Sequence, residues 1–290
     1  MRFPRPLATT LLTLTCALAA ALPAAGQQKV TIGGRPAPGQ TVRVNIVQDA
    51  DFTMKPAEGG AGGQLPPSAH VTIKSTTVAS QKVGTADEKG NLKVELTFEQ
   101  ITQDMKMNDQ PAPPEAMAGA EAMKGKTLSM TLDPAGEVVE VTPPADFPLP
   151  QSAIKDMLKQ ALGLMTKQEM AIGDTVTAPF SMAMPIPMPG GEPPQMKGEL
   201  KSTLTGVTGE VATLGQVVTA AVDSNITAPN GIQIGIKMTV KGSGTTDWDV
   251  KGALVRGSKM TTQIEGTFDI PNVGVMNLAG TTTVNLERVP

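Results

Sequence analysis

The stretch Ser152–Met170, SAIKDMLKQALGLMTKQEM, decides how the rest of the chain is read. Its apolar residues Ile154, Met157, Leu158, Ala161, Leu162 and Met165 recur at i, i+3, i+4 and i+7, which places them on one helical face. Lys155, Asp156, Lys159 and Gln160 fall mostly on the other side, and Ser152 stands where an N-cap belongs. Leu164 widens the apolar face. No second segment matches this pattern, so the face is expected to pack on a sheet rather than on another helix.

On the C-terminal side, Gly173-Asp174 turns the chain into an alternating run, Thr175–Met184, followed by PIPMPGGEPPQ (Pro185–Gln195), which cannot be a central strand. Alternating segments then follow at Met196–Thr208, Glu210–Asn225, Ile232–Lys241, Thr245–Val250, Ala253–Phe268 and Val273–Val289. Turn signals at Gly206–Gly209, Pro229-Asn230-Gly231, Gly242–Gly244 and Lys251-Gly252 separate them, the pattern of an antiparallel meander. On the N-terminal side, Thr41–Asp49 alternates with Val42, Val44 and Ile46 on one face. His70–Val83 and Asn91–Gln103 (Leu92, Val94, Leu96, Phe98) follow at the same period of two. Asp87-Glu88-Lys89-Gly90 and Asp133-Pro134-Ala135-Gly136 have hairpin-turn chemistry, the second joining Lys126–Leu132 to Glu137–Thr142. Glu58–Pro67 and Asn108–Gly125 read as loops, the latter holding one helical segment from Pro114 that ends at Gly125. PPADFPLP (Pro143–Pro150) delivers the chain to the central helix. The expected fold is a β-rich α+β domain over residues 27–290, a curved antiparallel half-barrel sheet wrapped over one central amphipathic helix.

Met1–Gly26 reads as a secretory signal. Arg2 and Arg5 supply the basic start, LATTLLTLTCALAAA (Leu7–Ala21) the apolar core, and Ala24-Ala25-Gly26 the small residues before cleavage at Gln27. The apolar run is short of the about 20 residues that span a bilayer. Thr13-Leu14-Thr15 lacks the small residue that precedes a lipidated cysteine, so Cys16 is expected to leave with the signal and the mature chain to have no disulfide. The expected location is therefore the periplasm or the exterior, with no transmembrane segment once the signal is gone. The net charge of −3 becomes −5 without Arg2 and Arg5, 22 basic against 27 acidic residues. A mildly acidic chain without basic clusters is not built to neutralise phosphates, which excludes nucleic acid as a partner. There is no Tyr and one Trp, Trp248, so aromatic stacking platforms for sugars or single strands are not available.

Three segments carry a resemblance: LDPAGEVVEVT (Leu132–Thr142), IGD (Ile172–Asp174) and WDVKGALVRGSKM (Trp248–Met260). With the order of strands, Pro-rich entry, helix and Gly-Asp turn, they look like exported bacterial domains of unknown function. Those in turn are similar to the lipoprotein-localisation-factor group. Thr175-Val176 stands where an aromatic is often expected in that pattern. The resemblance implies a curved sheet folded over helices around an apolar cavity, and a lipid as cargo.

Catalytic constellations are weak. His70 is the only histidine, so a His-rich zinc site is excluded, and Ser68-Ala69-His70 comes without a GxSxG elbow. The carboxylates Asp49/Asp51, Asp87/Glu88 and Glu137/Glu140 are accounted for as turn and solvated-strand residues. No GxGxxG follows a strand, so no nucleotide cofactor is implied. Methionine is abundant, 17 in all. Met105-Lys106-Met107 and Met182-Ala183-Met184 have the spacing that aligns thioethers on one strand face, suited to Cu(I) or simply to filling an apolar groove. Core or groove filling is the stronger reading, and no metal or other cofactor is assigned. The expected function is a non-enzymatic exported binding protein holding a lipid-like ligand. The expected apolar lining is Ile154, Met157, Leu158, Leu162, Met165, Met105, Met107, Met182 and Met184. The alternatives are Cu(I) handling and a structural component of the cell envelope with a protein partner.

Overall fold

The structure, a computed structural model, describes residues 29–57, 68–113, 118–144, 154–155, 158, 167–183, 194–227, 233–271 and 274–290. The first half contributes β1 (Val30–Ile32), β2 (Thr41–Pro56), β3 (Ala69–Ala86), β4 (Leu92–Met107), β5 (Gln110–Pro111), α1 (Ala118–Met123), β6 (Thr127–Leu132) and β7 (Val138–Thr142). The second contributes β8 (Gln168–Met170), β9 (Thr175–Ala183), β10 (Gln195–Thr208), β11 (Val211–Thr227), β12 (Gln233–Asp249), β13 (Leu254–Ile270) and β14 (Gly274–Val289). Many of these strands run 14 to 18 residues, against a usual length of about 5–6.

One antiparallel sheet holds nearly all of them, in the order β7-β6-β4-β3-β2-β14-β13-β12-β11-β10-β9, with β5 paired to β4. Each half of the chain is a meander of neighbouring hairpins running outward. The first long strand, β2, and the last, β14, join the halves, with Ile46 opposite Leu286 and Ala50 opposite Thr282.

The register gives the sheet two unlike faces. Ile46 aligns with Leu286 on one side and Thr77 on the other, Val44 with Ala79, and Leu96 with Gln81 and Leu128. This face also carries Met130, Ile264, Val240, Met238, Val222 and Leu214. The other face carries Lys74, Asp104, Lys237, Asp223, Lys241, Lys259 and ladders of threonine such as Thr261–Thr283, 3.1 Å apart. Period-two alternation over long strands, reset at bulges such as the one in β4 opposite Val78 and Ala79, produces this segregation.

Glycines show which face is concave. A Cβ on Gly244 would stand 2.1 Å from the Lys259 carbonyl oxygen, and one on Gly280 2.2 Å from Phe52 Cδ1. Both point to the apolar face. On the polar face a Cβ at Gly257 would stand 3.5 Å from its nearest neighbour and one at Gly215 3.3 Å. Strands therefore crowd together on the apolar side, and the sheet bends around it. This revises the reading of Gly242–Gly244 as a turn: both lie inside the continuous strand β12, where absence of a side chain permits the bend.

The central amphipathic helix is overturned as the organiser of the fold, and with it the α+β class: the protein is nearly all β, and among the described residues the one bounded helix, α1, has six residues. Gln168–Met170, the end of the expected helix, is strand β8, paired antiparallel with β1 through Val30 opposite Met170. Met170 is 3% exposed and packs with Ile32, Leu204, Leu214 and Trp248. Burial on a strand pair outweighs helical propensity there. Of the remaining stretch, Ile154, Lys155 and Leu158 are helical, and the other positions lie outside the described residues. Ile154 is buried among Val83, Leu92, Val94, Leu128 and Val141, with Leu158 against the same cluster. The connection from β7 to β9 thus touches one flank of the sheet at Ile154 and the other at Met170. The short α1 ends ahead of Gly125, whose φ of +76° a side chain would strain, as the sequence leads one to expect.

Candidate functional site

Bending the apolar face inward creates a cavity of about 670 Å³. One wall comes from Val42, Val44 and Ile46 of β2, Gln81 of β3, Leu96 of β4 and Met130 and Leu132 of β6. The lining continues with Leu286 of β14, the strand beside β2, and closes with Leu254 and Val255 of β13 and Trp248 of β12. Six strand spacings separate β6 from β12, roughly 29 Å in a flat sheet. Only a strongly curved sheet brings both to one cavity. The volume falls within the range of ligand sites, about 300–1,000 Å³, and the lining is mainly aliphatic, as such sites are.

The rim is built in part by the segment between β1 and β2, the N-terminal arm, and carries the charged residues Glu137 and Lys167. Gly34 and Pro36 line it beside Ala135, Gly136, Glu137 and Lys167. Ala37 N–H donates to Gly252 O (3.2 Å) and Gly39 N–H to Val83 O (3.1 Å), so the arm crosses this end of the sheet from the β3–β4 side to the β12–β13 hairpin. The Arg35 guanidinium donates to Gly90 O. Turn geometry holds these tips: Asp87 Oδ1 accepts from Lys89 and Asn91 N–H, and Asp133 Oδ1 from Ala135 and Glu137 N–H. The β1–β8 ribbon packs on Trp248 at the same end. In the other direction the concave face continues past Ala50 through half-buried Phe52, Ile73, Ile264 and Met238.

Arg288 ties the β12–β13 hairpin to the last strand. Its Nη1 donates to Asp249 Oδ2 (2.9 Å), Nε to Val255 O (3.0 Å) and Nη2 to Leu254 O (3.3 Å). Burial alone would raise the Asp249 carboxyl, but N–H donation from Gly252, the Arg288 guanidinium and Lys251 N–H outweigh it and hold the carboxyl below its ordinary value. A lowered folded pKa stabilises the protein fully above the unfolded value, about 3.9, and that contribution is lost as pH falls through the folded value. The melting temperature is therefore expected to fall on acidification below about pH 4. Asp249→Asn should lower it at neutral pH and shrink the acid-induced drop; an unchanged acid limb would remove Asp249 from the account.

The predicted lining residues are placed unevenly. Ile154 and Leu158 pack on the cluster that includes cavity residues Met130, Leu132 and Val138. Met105 and Met107 lie on the apolar face at the far end of β4, opposite Ile73 and Val71, with Met107 45% exposed. Met182 pairs with Met196 across β9 and β10. Met157, Leu162, Met165 and Met184 lie outside the described residues. The cavity residues Val42, Val44 and Ile46 are visible in sequence as one strand face, but nothing local says that β14 lies beside them or that β12 and β13 share their cavity. Trp248, the sole tryptophan, is the compositional signal that points to the β12 end of the lining.

Of the candidate chemistries, His70 Nε2 lies 3.0 Å from Asp51 Oδ1 on the exposed polar face. Asp51, Thr53, Gln263 and Glu265 edge a 350 Å³ depression there. Among the described residues, no group of three or more His, Cys, Asp or Glu is arranged to hold a metal. No helix among them is long and apolar enough to cross a membrane.

No protein-family model matches the chain, and no curated protein matches it. Among solved structures the chain is similar to lipovitellin, described as "lipid-protein interactions in lipovitellin", with a TM-score of 0.42 and 9% identity, covering 88% of this chain and 25% of that one. It is also similar to DynF from the dynemicin biosynthesis pathway of Micromonospora chersina, with a TM-score of 0.22 and 13% identity, covering 98% and 92% of the two chains. The chain spans a quarter of the lipovitellin chain, and likenesses this slight carry no ligand from either structure to this protein.

Proposed function

We propose that this is an exported, non-enzymatic binding protein that holds a lipid-like apolar ligand against the concave face of its sheet. The observation that carries the reading is the 670 Å³ cavity walled by Val42, Val44, Ile46, Leu96, Val255 and Leu286. Contiguous apolar surface left half-open on a folded domain marks a binding site rather than a core. The basic start and apolar run of residues 2–21 support export, and the resemblance to the lipoprotein-localisation-factor group points the same way.

Mature protein purified without detergent is expected to carry a bound lipid-sized mass in native mass spectrometry. Ile46→Asp puts a carboxylate on the cavity wall, where an unpaired charge is costly beside apolar ligand, and should strip that mass while circular dichroism stays β-rich. A wild-type spectrum showing protein alone, together with no uptake from lipid vesicles, would overturn the reading.

A further inference from the structure

The cavity has a chemical polarity beyond its oiliness, and on the binding role just given we infer the class of ligand: a single-chain amphiphile with one anionic, hydrogen-bond-accepting head, a long-chain carboxylate. Its head sits at Lys167 and Trp248, and its chain runs along β2 and β14.

Trp248 lines the cavity and is 3% exposed, yet its indole N–H has no acceptor among the described residues. A buried N–H of this kind is costly until an acceptor reaches it. The acceptors in the lining, Gln81 and Glu137, do not reach it, so a ligand oxygen is the fitting partner.

Lys167 supplies the charge. It lines the same cavity, its stem lies 3.5 Å from the position of a Cβ on Gly34, and its ammonium makes no hydrogen bond or ion pair among the described residues. It directly precedes β8, whose Met170 packs with Trp248, so cation and N–H donor belong to the same end. Two arginines at this end are engaged, Arg288 by Asp249 and two carbonyls and Arg35 by the Gly90 carbonyl. Glu137 is the acid on the rim. Its presence favours a singly charged head over a dianionic phosphate monoester.

Size limits the rest. At ~30 Å³ for each non-hydrogen group, taking the share of a liquid water as the unit, 670 Å³ holds about 22 such groups. That accommodates one long chain with its head. Three successive inward residues of β2, Val42, Val44 and Ile46, give the chain a straight apolar track.

Because Trp248 is the sole tryptophan, its fluorescence reports binding directly. The full chain is titrated at neutral pH with palmitate and, separately, with hexadecanol, which has the same chain and an uncharged head. Palmitate is expected to bind about tenfold tighter, the worth of one hydrogen bond to a charged group. Lys167→Met keeps the stem and removes the charge; it should erase the palmitate preference and leave hexadecanol affinity unchanged, while Lys167→Arg restores the preference. Equal wild-type affinities, or a preference that survives Lys167→Met, overturn the head-group assignment while leaving the apolar site standing. If neither compound binds, the binding role itself fails.

Discussion

Gly244→Val is expected to unfold the central sheet or to cost about 3 kcal/mol or more, the upper range for overpacked positions. The new Cβ would meet the Lys259 carbonyl oxygen at 2.1 Å and Met260 Cα at 2.8 Å, both backbone atoms that cannot rotate away. Gly280→Val meets Asp51 O at 2.7 Å as well as the Phe52 ring, and should behave alike. The matched control is Gly257→Ala on the convex side, where the nearest atom is at 3.5 Å and a change within about 0.5 kcal/mol is expected. Urea unfolding of the three variants measures the contrast. Similar losses at Gly244 and Gly257 would mean that the crowding is not one-sided, and the concave apolar face would lose its main support. The same variants bear on binding, because relief of the clash requires the sheet to flatten, which separates Ile46 and Leu96 from Trp248 and opens the cavity.

These glycines also mark where sequence reading stops. A GSG triplet between alternating runs carries the signature of a turn, and residues 242–244 have it. In the folded protein the same triplet keeps β12 running for 17 residues, because Lys241, Ser243 and Thr245 face the polar side and the two glycines face the crowded one. A local window cannot separate a turn from a bend in a strand when both require glycine. The helical pattern of 152–170 shows a second limit. Ile154 and Leu158 obey it, yet Gln168 and Met170 pair as a strand with Ile32 and Val30, residues more than a hundred positions away. Period-two alternation, by contrast, depends only on neighbours, which is why Val42, Val44 and Ile46 were legible as one face. The cavity was not legible, because it needs β14 beside β2, a pairing of the last strand with the first long one. The methionines illustrate the consequence. Met105 and Met107 do share the apolar face, but at the opposite end from the arm, the indole and the lysine.

Leu204→Ala and Ile46→Ala should differ sharply although both remove aliphatic groups from the concave face. Leu204 is 0% exposed, locked among Ile32, Met170, Leu214 and Trp248 at the closed end, so its truncation leaves a cavity and should cost about 2–5 kcal/mol. Ile46 lies half-buried on the cavity wall between Leu286 and Thr77. Removing surface already in contact with water forfeits less transfer free energy, and a cost under about 1.5 kcal/mol is expected in the ligand-free protein. With a long-chain ligand present the order should narrow, since Ile46→Ala then loses contacts to the bound chain, and the stabilisation conferred by the ligand should fall. Thermal melts of both variants, with and without added palmitate, read all four quantities. An Ile46→Ala loss as large as that of Leu204→Ala without ligand would show that the cavity wall is already covered by the chain's own residues, and would turn the apolar track into ordinary core. A small loss without ligand and a reduced ligand-induced gain would divide the concave face as its burial does, with stability held by the cluster around Leu204 and binding along the track of β2.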